Sequence, residues 1–301
     1  MTMRGPHDGF GDQAWFDAWY DAFAPGASRF ALPIAGQDFQ ADLYPGTARV
    51  LRRPWRFLRA PANAHTPQYG WKLSAIPTVA DLGKALGEAL KPSRCHGVEL
   101  DLLHGEGATA EVLRQLPGVG WSVWSEERDR MTVIDVDDDW SAYWQGRSSN
   151  LRKSLGKQER QLARTGEVRF ADSAQTGEWA DILEEGLALE ARGWKGEVGS
   201  AILNRPAEAR FYRRAAEAAA VKRRLRLFSL HLSGRMIAFY LTMADAERLF
   251  WLKVAYDEQY AHYGPAMLLF RWGLAACFDD PSIQTVCISG RRAGVTTSST
   301  C

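Results

Sequence analysis

Residues 225–278 have the sequence LRLFSLHLSGRMIAFYLTMADAERLFWLKVAYDEQYAHYGPAMLLFRWGLAACF, in which three apolar runs are followed by a turn and a strongly apolar stretch. The runs are rich in leucine, aromatic and β-branched side chains, which are typical of strands. They span residues 225–232, 236–243 and 249–254. The segments between them, 233–235 and 244–248, are polar and of hairpin length. The stretch therefore predicts a three-stranded antiparallel meander that leads into a helix.

The turn before this helix has the residue types of an anion site. Proline in a first helical turn costs no hydrogen bond, because an N–H there has no partner within the helix, so the helix is predicted to begin near Pro265. Gly264 and Ala266 are small and leave the neighbouring N–H groups accessible, and the helix dipole favours negative charge. The turn predicts a site for a cofactor pyrophosphate. The alternative is that Gly264-Pro265 only turns the chain into a core helix.

The order of these elements resembles a known family. Three hairpin-linked strands, a pyrophosphate turn, a helix and a further strand, here predicted over 283–288, resemble the acetyl-CoA-binding core of the GNAT acetyltransferases. AYDEQYA at 255–261, followed by Tyr263-Gly264-Pro265, and EARGWKG at 190–196 look like the CelD/BcsL-type subgroup, which is named after cellulose-biosynthesis proteins. The resemblance extends over about residues 140–290.

The resemblance implies an α/β fold of two tandem GNAT-like (acyl-CoA N-acyltransferase) units of the FemABX kind, with mixed, mainly antiparallel sheets flanked by helices. Residues 1–136 are expected to form a degenerate GNAT-like domain without a phosphate loop, and residues 137–301 a GNAT acetyltransferase-like domain. The boundary is predicted at the acidic run Asp137-Asp138-Asp139, which suits the start of a helix. Short apolar runs predict strands of the first domain at 30–34, 98–103, 121–124 and 131–136.

Two features depart from the family pattern. The usual GNAT loop has Gln or Arg, two residues, Gly, one residue, and Gly or Ala; Gly264 and Ala266 match it, but Ala261 stands where the Gln or Arg would be. A side-chain contact to phosphate is therefore expected to be missing from the loop. A GNAT core also normally continues after its fifth strand into a helix and closing strands, whereas residues 289–301 contain too few apolar side chains to form them. The C-terminal unit is thus expected to be truncated or frame-shifted.

The matched motifs carry the candidate catalytic residues. Acyl transfer from a thioester needs a group that accepts the acceptor's proton and one that protonates the leaving thiolate. The resemblance implies Asp257 or Glu190 as the base and Tyr256 as the proton donor. The alternatives are that Asp257 caps the loop after the third strand and that Glu190 is an exposed helix charge.

Binding residues follow from the same resemblance. Trp194 and Lys195 are expected to contact the acceptor, although Lys195 could instead pair with Glu190. The residues expected to contact the acyl donor are Leu252, Val254, Tyr263, Gly264, Ala266 and Met267.

Composition limits the other classes of function. A net charge of +1 gives no general attraction to nucleic acid or to anionic membranes. No run approaches the roughly 18 apolar residues that a membrane span needs, and the start lacks a signal-like stretch, so a cytoplasmic location is expected. The four cysteines contain no Cys-x-x-Cys pair, so no metal is expected.

Residues 147–169 carry seven Lys or Arg side chains and predict an amphipathic helix that ends at Gly166. A solvated helix face is the first interpretation, and contact with an anionic acceptor or with the cofactor phosphates is the second. A nucleic-acid interface is disfavoured, because no aromatic residues are interleaved with the charges.

The resemblance implies an acyltransferase that moves an acetyl or other acyl group from acyl-CoA, acetyl-CoA above all, to an amine or hydroxyl. The acceptor would be a small molecule, a sugar or a cell-envelope precursor. Two alternatives remain open: a FemABX-like transferase that uses aminoacyl-tRNA, and a non-catalytic binding protein that keeps the GNAT fold.

Overall fold

The computed structural model describes residues 9–34, 42–50, 53–73, 75–127, 130–136 and 139–289. The expectations for Asp137, Asp138 and the tail after Ser289 therefore lie outside the described residues. The chain divides into two compact units, Met1–Arg128 and Asp129–Cys301. Within the described residues, no helix has the length and apolar character needed to cross a membrane.

The N-terminal unit combines three helices with a three-stranded sheet of order β1-β2-β3. Its elements are α1 (Gln13–Phe23), β1 (Tyr44–Val50), β2 (Arg53–Arg59), α2 (Val79–Ser93), β3 (Gly97–Glu99) and α3 (Ala108–Arg114). Strands β1 and β2 form an antiparallel hairpin, and β3 runs parallel to β2. Helix α1 buries Trp15, Phe16, Trp19 and Tyr20, so the aromatic stripe in the sequence is its core face.

Three of the strand predictions for this unit are wrong in whole or in part. Of residues 30–34, only Phe30 pairs, in an isolated bridge with Leu43, and residues 121–124 form no strand. The strand expected over 98–103 is only the three-residue β3. Apolar character alone does not make a strand, because the backbone groups also need a partner strand.

The C-terminal unit contains a six-stranded sheet of order β4-β9-β8-β7-β6-β5. Its strands are β4 (Met131–Asp135), β5 (Val168–Asp172), β6 (Leu225–Leu232), β7 (Arg235–Asp245), β8 (Arg248–Tyr256) and β9 (Thr285–Ser289). Its helices are α4 (Trp140–Gln145), α5 (Ser149–Ala163), α6 (Ser173–Thr176), α7 (Trp179–Arg192), α8 (Trp194–Glu197), α9 (Pro206–Val221) and α10 (Pro265–Phe278). The predicted α/β fold class is confirmed.

The predicted meander is confirmed in β6, β7 and β8, which pair antiparallel. Both hairpin turns are tight, and the second is shorter than expected, since β7 runs to Asp245 and β8 begins at Arg248. Ser233 and Ala246 adopt positive φ angles of 49° and 52° in these turns. The polar segment at 244–248 therefore consists mostly of strand ends.

Two helices cover opposite faces of this meander. Gly186 of α7 lies so close to Phe239 of β7 that an added Cβ would be 2.4 Å from the ring. Tyr240, the next residue of β7, faces Phe270 of α10 with ring centroids 6.3 Å apart. Successive side chains of a strand point to opposite faces. The central strands are therefore buried between α7 and α10.

Both edge strands of the large sheet differ from the sequence prediction. Strand β4, expected in the N-terminal domain, pairs antiparallel with β9 from Met131↔Ser289 to Asp135↔Thr285. The basic helix was predicted to end at Gly166 with no strand after it, but α5 ends at Ala163, and Val168–Asp172 form β5, which pairs with β6. The strand β9 thus has a neighbour from upstream in the chain.

Candidate active site

The edge of β8 that faces β9 changes along its length. The two strands run parallel and pair from Arg248↔Thr285 to Trp251↔Ile288. Beyond Trp251, β8 continues to Tyr256 with no described strand beside it on that side. The register with β7 skips Leu252, because Leu241 pairs with Lys253 and Thr242 pairs with Trp251. This bulge begins the stretch 252–256, which has no described strand on the side away from β7 and is here called the open edge.

The backbone of Val254 points out of the open edge. The N–H of Asp257 donates to the carbonyl of Ile237 at 2.9 Å, which makes Ala238↔Tyr256 a non-hydrogen-bonded pair of the antiparallel ladder. The pair Tyr240↔Val254, two residues away, is of the same kind. The N–H and C=O of Val254 therefore point away from β7, and an extended ligand arm could bind there.

The two motifs that carried the family resemblance meet at this edge. Lys195 Nζ donates to the Val254 carbonyl at 3.2 Å and to Glu190 Oε1 at 2.7 Å. The N–H of Trp194 donates to Glu258 Oε1 at 2.8 Å. The segment 190–196 is thus joined to β8 by Lys195 and to the segment after β8 by Trp194.

Glu190 lies in the wall of a shallow crevice beside the open edge, which is too narrow in this structure to hold a water molecule. Its side chain is only 6% exposed, and its Oε2 accepts a hydrogen bond from the N–H of Ile202 at 3.0 Å. The other residues that line the crevice are Gly186, Leu187, Ile202, Phe239, Lys253, Val254 and Ala255. The predicted alternative of an exposed helix charge is therefore wrong for Glu190. A buried carboxylate with spare lone pairs can accept a proton from a group bound next to it.

Asp257 has a different environment. Its Oδ1 accepts from the N–H of Gln259 at 3.1 Å, and its Oδ2 accepts from Arg235 Nη2 at 2.6 Å. The carboxylate thereby caps the 3₁₀ segment Glu258–Tyr263. Tyr256, its neighbour, is 37% exposed. The structure gives Asp257 a local structural role, and a role as base stays a prediction.

The predicted anion turn follows this 3₁₀ segment. Helix α10 begins at Pro265 as predicted, and Gly264 precedes it with φ 61° and ψ 45°. This left-handed conformation is readily adopted only by glycine. No side chain of the described chain caps the helix, and Met267 in its first turn is 45% exposed. Tyr263, which precedes Gly264, and Ala266, which follows Pro265, are half-buried.

Three residues that were not predicted as site residues also contribute to the site. The side-chain amide of Gln158, from α5, lies against Gly264. Arg235 and Glu258 hold Asp257 and the start of α8. Sequence spacing carries no signal for Gln158 or Arg235, because each reaches the site through tertiary packing; Glu258 lies inside the matched motif and could have been chosen.

Cysteine and metal chemistry find no support here. Burial raises the pKa of the Cys277 thiol to about 12 and that of the Cys287 thiol to about 11, so both are protonated at neutral pH and are poor nucleophiles. In the part of the chain that the structure describes, no group of three or more His, Cys, Asp or Glu side chains is arranged to hold a metal ion.

Gly196 follows Lys195 in α8 and packs closely against the end of α7. An added Cβ would lie 1.8 Å from the carbonyl oxygen of Ala191, a backbone atom that cannot move aside without displacing α7. We expect Gly196→Ala to destabilise the C-terminal unit by about 3 kcal/mol, the upper end for overpacking. Gly156→Ala in α5 is the control, because only the tip of the Arg160 side chain is near and alanine favours the helix by about 1 kcal/mol. Urea unfolding measures both; equal midpoints for the two variants would contradict the prediction.

The chain is similar to known proteins in part of its sequence and in its fold. Residues 149–290 match the family model of the Acetyltransferase (GNAT) domain. No curated protein is detectably similar to the chain in sequence. Among solved structures, FemX is similar with a TM-score of 0.56 at 11% identity, over 95% of this chain and 84% of that one. A conserved protein of unknown function from Bacteroides thetaiotaomicron is similar with a TM-score of 0.50 at 14% identity, over 96% of this chain and 84% of that one. At such identities the likeness shows the fold alone.

Proposed function

We propose, for a chain whose residues 149–290 form a GNAT-type acyltransferase domain, that this domain transfers an acetyl or other acyl group from acyl-CoA to an amine or hydroxyl. The observation that carries the proposal is the open edge of β8, where the backbone of Val254 faces outward beside the buried carboxylate of Glu190. Acetyl-CoA is the proposed donor. The proposed acceptor is a small molecule, a sugar or a cell-envelope precursor, as the resemblance to CelD/BcsL-type proteins implies. The reaction is proposed to take place in the cytoplasm.

The donor would lie along the open edge and reach the start of α10. Leu252 and Val254 supply backbone groups for the pantetheine arm, as an added strand would use them. The pyrophosphate would bind at the turn of Tyr263 and Gly264, next to the N–H groups of Ala266 and Met267. A backbone N–H of the open edge would hold the thioester oxygen, where negative charge develops during attack.

The chemical step needs two proton transfers. The acceptor nitrogen or oxygen attacks the thioester carbon, and Glu190 takes its proton. The C–S bond then breaks, and the thiolate takes a proton from the Tyr256 hydroxyl, which is exposed and regains one from solvent. Lys195 and Trp194 would contact the acceptor, and Lys195 also holds one oxygen of Glu190 in place. Asp257 is the second candidate base, ranked lower because its carboxylate caps the 3₁₀ segment Glu258–Tyr263, whereas Glu190 shares Lys195 with the Val254 carbonyl of the open edge.

An aminoacyl-tRNA is the alternative donor. The observation that favours it is a row of exposed cations on α5, Lys153, Lys157, Arg160 and Arg164, spaced so that they share one helix face. The fold likeness to FemX is compatible with this alternative but shows the fold alone. We further propose that the N-terminal unit, Met1–Arg128, is a degenerate GNAT-like domain and that the C-terminal unit, Asp129–Cys301, is the catalytic one; the boundary predicted at residues 136/137 is moved because β4 pairs with β9.

Calorimetry with acetyl-CoA and CoA on the full chain tests the proposal. We expect the unmodified protein to bind both and Gly264→Trp to bind neither, because an indole at this turn would meet Gln158 and fill the pyrophosphate position. Gly177→Trp is the matched control: it has the same kind of left-handed backbone, with φ 74°, but no atoms within 4 Å of its Cβ position. It should keep full affinity for CoA.

Absence of CoA binding to the folded, unmodified chain would overturn the acyl-CoA proposal. The aminoacyl-tRNA and non-catalytic alternatives would then remain. Binding that survives Gly264→Trp would place the pyrophosphate elsewhere.

A further inference from the structure

The turn before α10 is contacted by a side chain from a distant part of the sequence. Gln158 of α5 has its Oε1 and Nε2 atoms 3.0 and 3.1 Å from the position that a Cβ on Gly264 would occupy. A carboxamide has two N–H donors and one carbonyl acceptor. None of these groups is hydrogen-bonded to another described residue, although the side chain is half-buried.

The orientation of α5 places Gln158 there. Leu155 and Leu162 point into the core, so the side of the helix opposite to them faces solvent. Gln158 lies at the border of the buried side, next to Glu159, whose Oε1 accepts from Arg271 of α10 at 2.7 Å. This ion pair, only partly exposed on both sides, ties α5 to α10 one residue away from Gln158. Its position at the turn is therefore a consequence of packing between the two helices.

The cations of α5 lie on a different side of the helix from Gln158. Lys153, Lys157, Arg160 and Arg164 occupy the exposed side, opposite to the buried leucines. With 100° between successive residues, Gln158 lies about 100° or more around the helix from each of them. The Gln158 amide is thus the side chain nearest to Gly264, on a different side of α5 from these four cations.

The family pattern of the loop has a Gln or Arg three residues before the glycine, and this chain has Ala261 there. We propose that Gln158 supplies this missing contact from another helix, donating an N–H to the pyrophosphate of the acyl donor. It is a determinant of affinity for the phosphate part of CoA, distinct from the contacts of the pantetheine arm. The inference rests on the proposed use of acyl-CoA.

Calorimetry with two probes tests this role on the full chain. CoA contains the pyrophosphate, whereas pantetheine consists only of the arm that would lie along β8. Gln158→Ala is expected to weaken CoA binding about tenfold, the usual effect of losing a hydrogen bond to a charged group, and to leave pantetheine affinity unchanged. Gln161→Ala, at an exposed position one turn further along α5, should alter neither affinity.

Gln158→Glu separates recognition from packing, because it has nearly the same shape as glutamine. A carboxylate beside the pyrophosphate should weaken CoA binding more than alanine does, and added salt should reduce this deficit by screening the repulsion. A residue that only packs against Gly264 would bear this substitution with little effect.

Several results would overturn the inference. CoA affinity that is the same in Gln158→Ala and in the unmodified chain would exclude the contact. Equal weakening of CoA and pantetheine would show that the substitution disturbs the fold of the edge instead. Failure of the unmodified chain to bind CoA would overturn both the proposed function and this inference. That result is distinguishable from the first two, because in both of those the unmodified chain binds CoA.

Discussion

Replacing Glu190 with glutamine is expected to lower the turnover rate of acyl transfer by about 10²- to 10⁴-fold, the usual range for loss of a general base. Glutamine has nearly the same shape, and its single oxygen can accept from the N–H of Ile202, but its NH2 group cannot accept from Lys195. Urea unfolding of the variant checks that the loss of this one contact leaves the fold intact. What is lost is the ability to take the acceptor's proton. The affinity for acetyl-CoA should change little, because Glu190 does not form part of the open edge itself.

The measurement is the release of free CoA thiol in the presence of acetyl-CoA and an acceptor, chosen from a panel of amines and amino sugars. Glu185→Gln is the matched control, since Glu185 lies on the same helix and its Oε1 also accepts a backbone N–H, from Met236 at 3.3 Å. Its turnover should be close to that of the unmodified chain. A larger loss in Asp257→Asn than in Glu190→Gln would transfer the role of base to Asp257.

Replacing Asp172 with alanine is expected to have the largest effect on stability, about 3 to 5 kcal/mol in the free energy of unfolding of the C-terminal unit. The Asp172 side chain is fully buried and the Arg226 side chain is 10% exposed, with Arg226 Nη2 and Asp172 Oδ2 2.7 Å apart. Arg226 Nη1 also lies 3.1 Å from Asp280 Oδ2. Removing Asp172 would leave a buried guanidinium whose remaining partners are the partly exposed Asp280 carboxylate and the Ala276 carbonyl, which accepts from Arg226 Nη2 at 3.3 Å.

An exposed ion pair provides the comparison for this prediction. Glu184 and Arg213 are 2.6 Å apart, but their side chains are each about half-exposed. Glu184→Ala should therefore cost at most about 1 kcal/mol, since solvent already screens the pair. Urea unfolding followed by tryptophan fluorescence, to which the buried Trp251 of β8 contributes, measures both variants. If Asp172→Ala cost no more than Glu184→Ala, the buried network would not be a major source of stability.

Local patterns in the sequence are sufficient for the centre of the fold. The strands β6, β7 and β8 and the start of α10 at Pro265 are predictable because each depends on neighbouring residues: apolar runs broken by short polar turns, and a proline that fits a first helical turn. Helices α7 and α9 follow from their apolar periodicity for the same reason. These elements would be recognisable without any knowledge of what packs against them.

Local sequence patterns were not sufficient to predict the short edge strands correctly. Strand β5 follows a basic helix and has only five residues, so its sequence alone does not separate it from the helix end. Strand β4 is recognisable as a strand but was assigned to the wrong sheet, because its pairing with β9 joins segments far apart in the chain. A short strand forms where a neighbouring strand can bond to its backbone N–H and C=O groups. The sequence of the short strand does not show which segment that neighbour is.

The sequence by itself determined which residue types could do the chemistry, because its two motifs contain Glu190, Lys195 and Asp257. Only the tertiary structure decided how they differ. It brought Lys195 to Val254 across 59 residues, buried Glu190 in the crevice, and left Asp257 as a cap. It also brought Gln158 to the turn that lacks its own amide. The physical reason is that burial, ion pairing and backbone orientation arise from contacts between segments remote in sequence, whereas periodicity and turn chemistry act within a few residues.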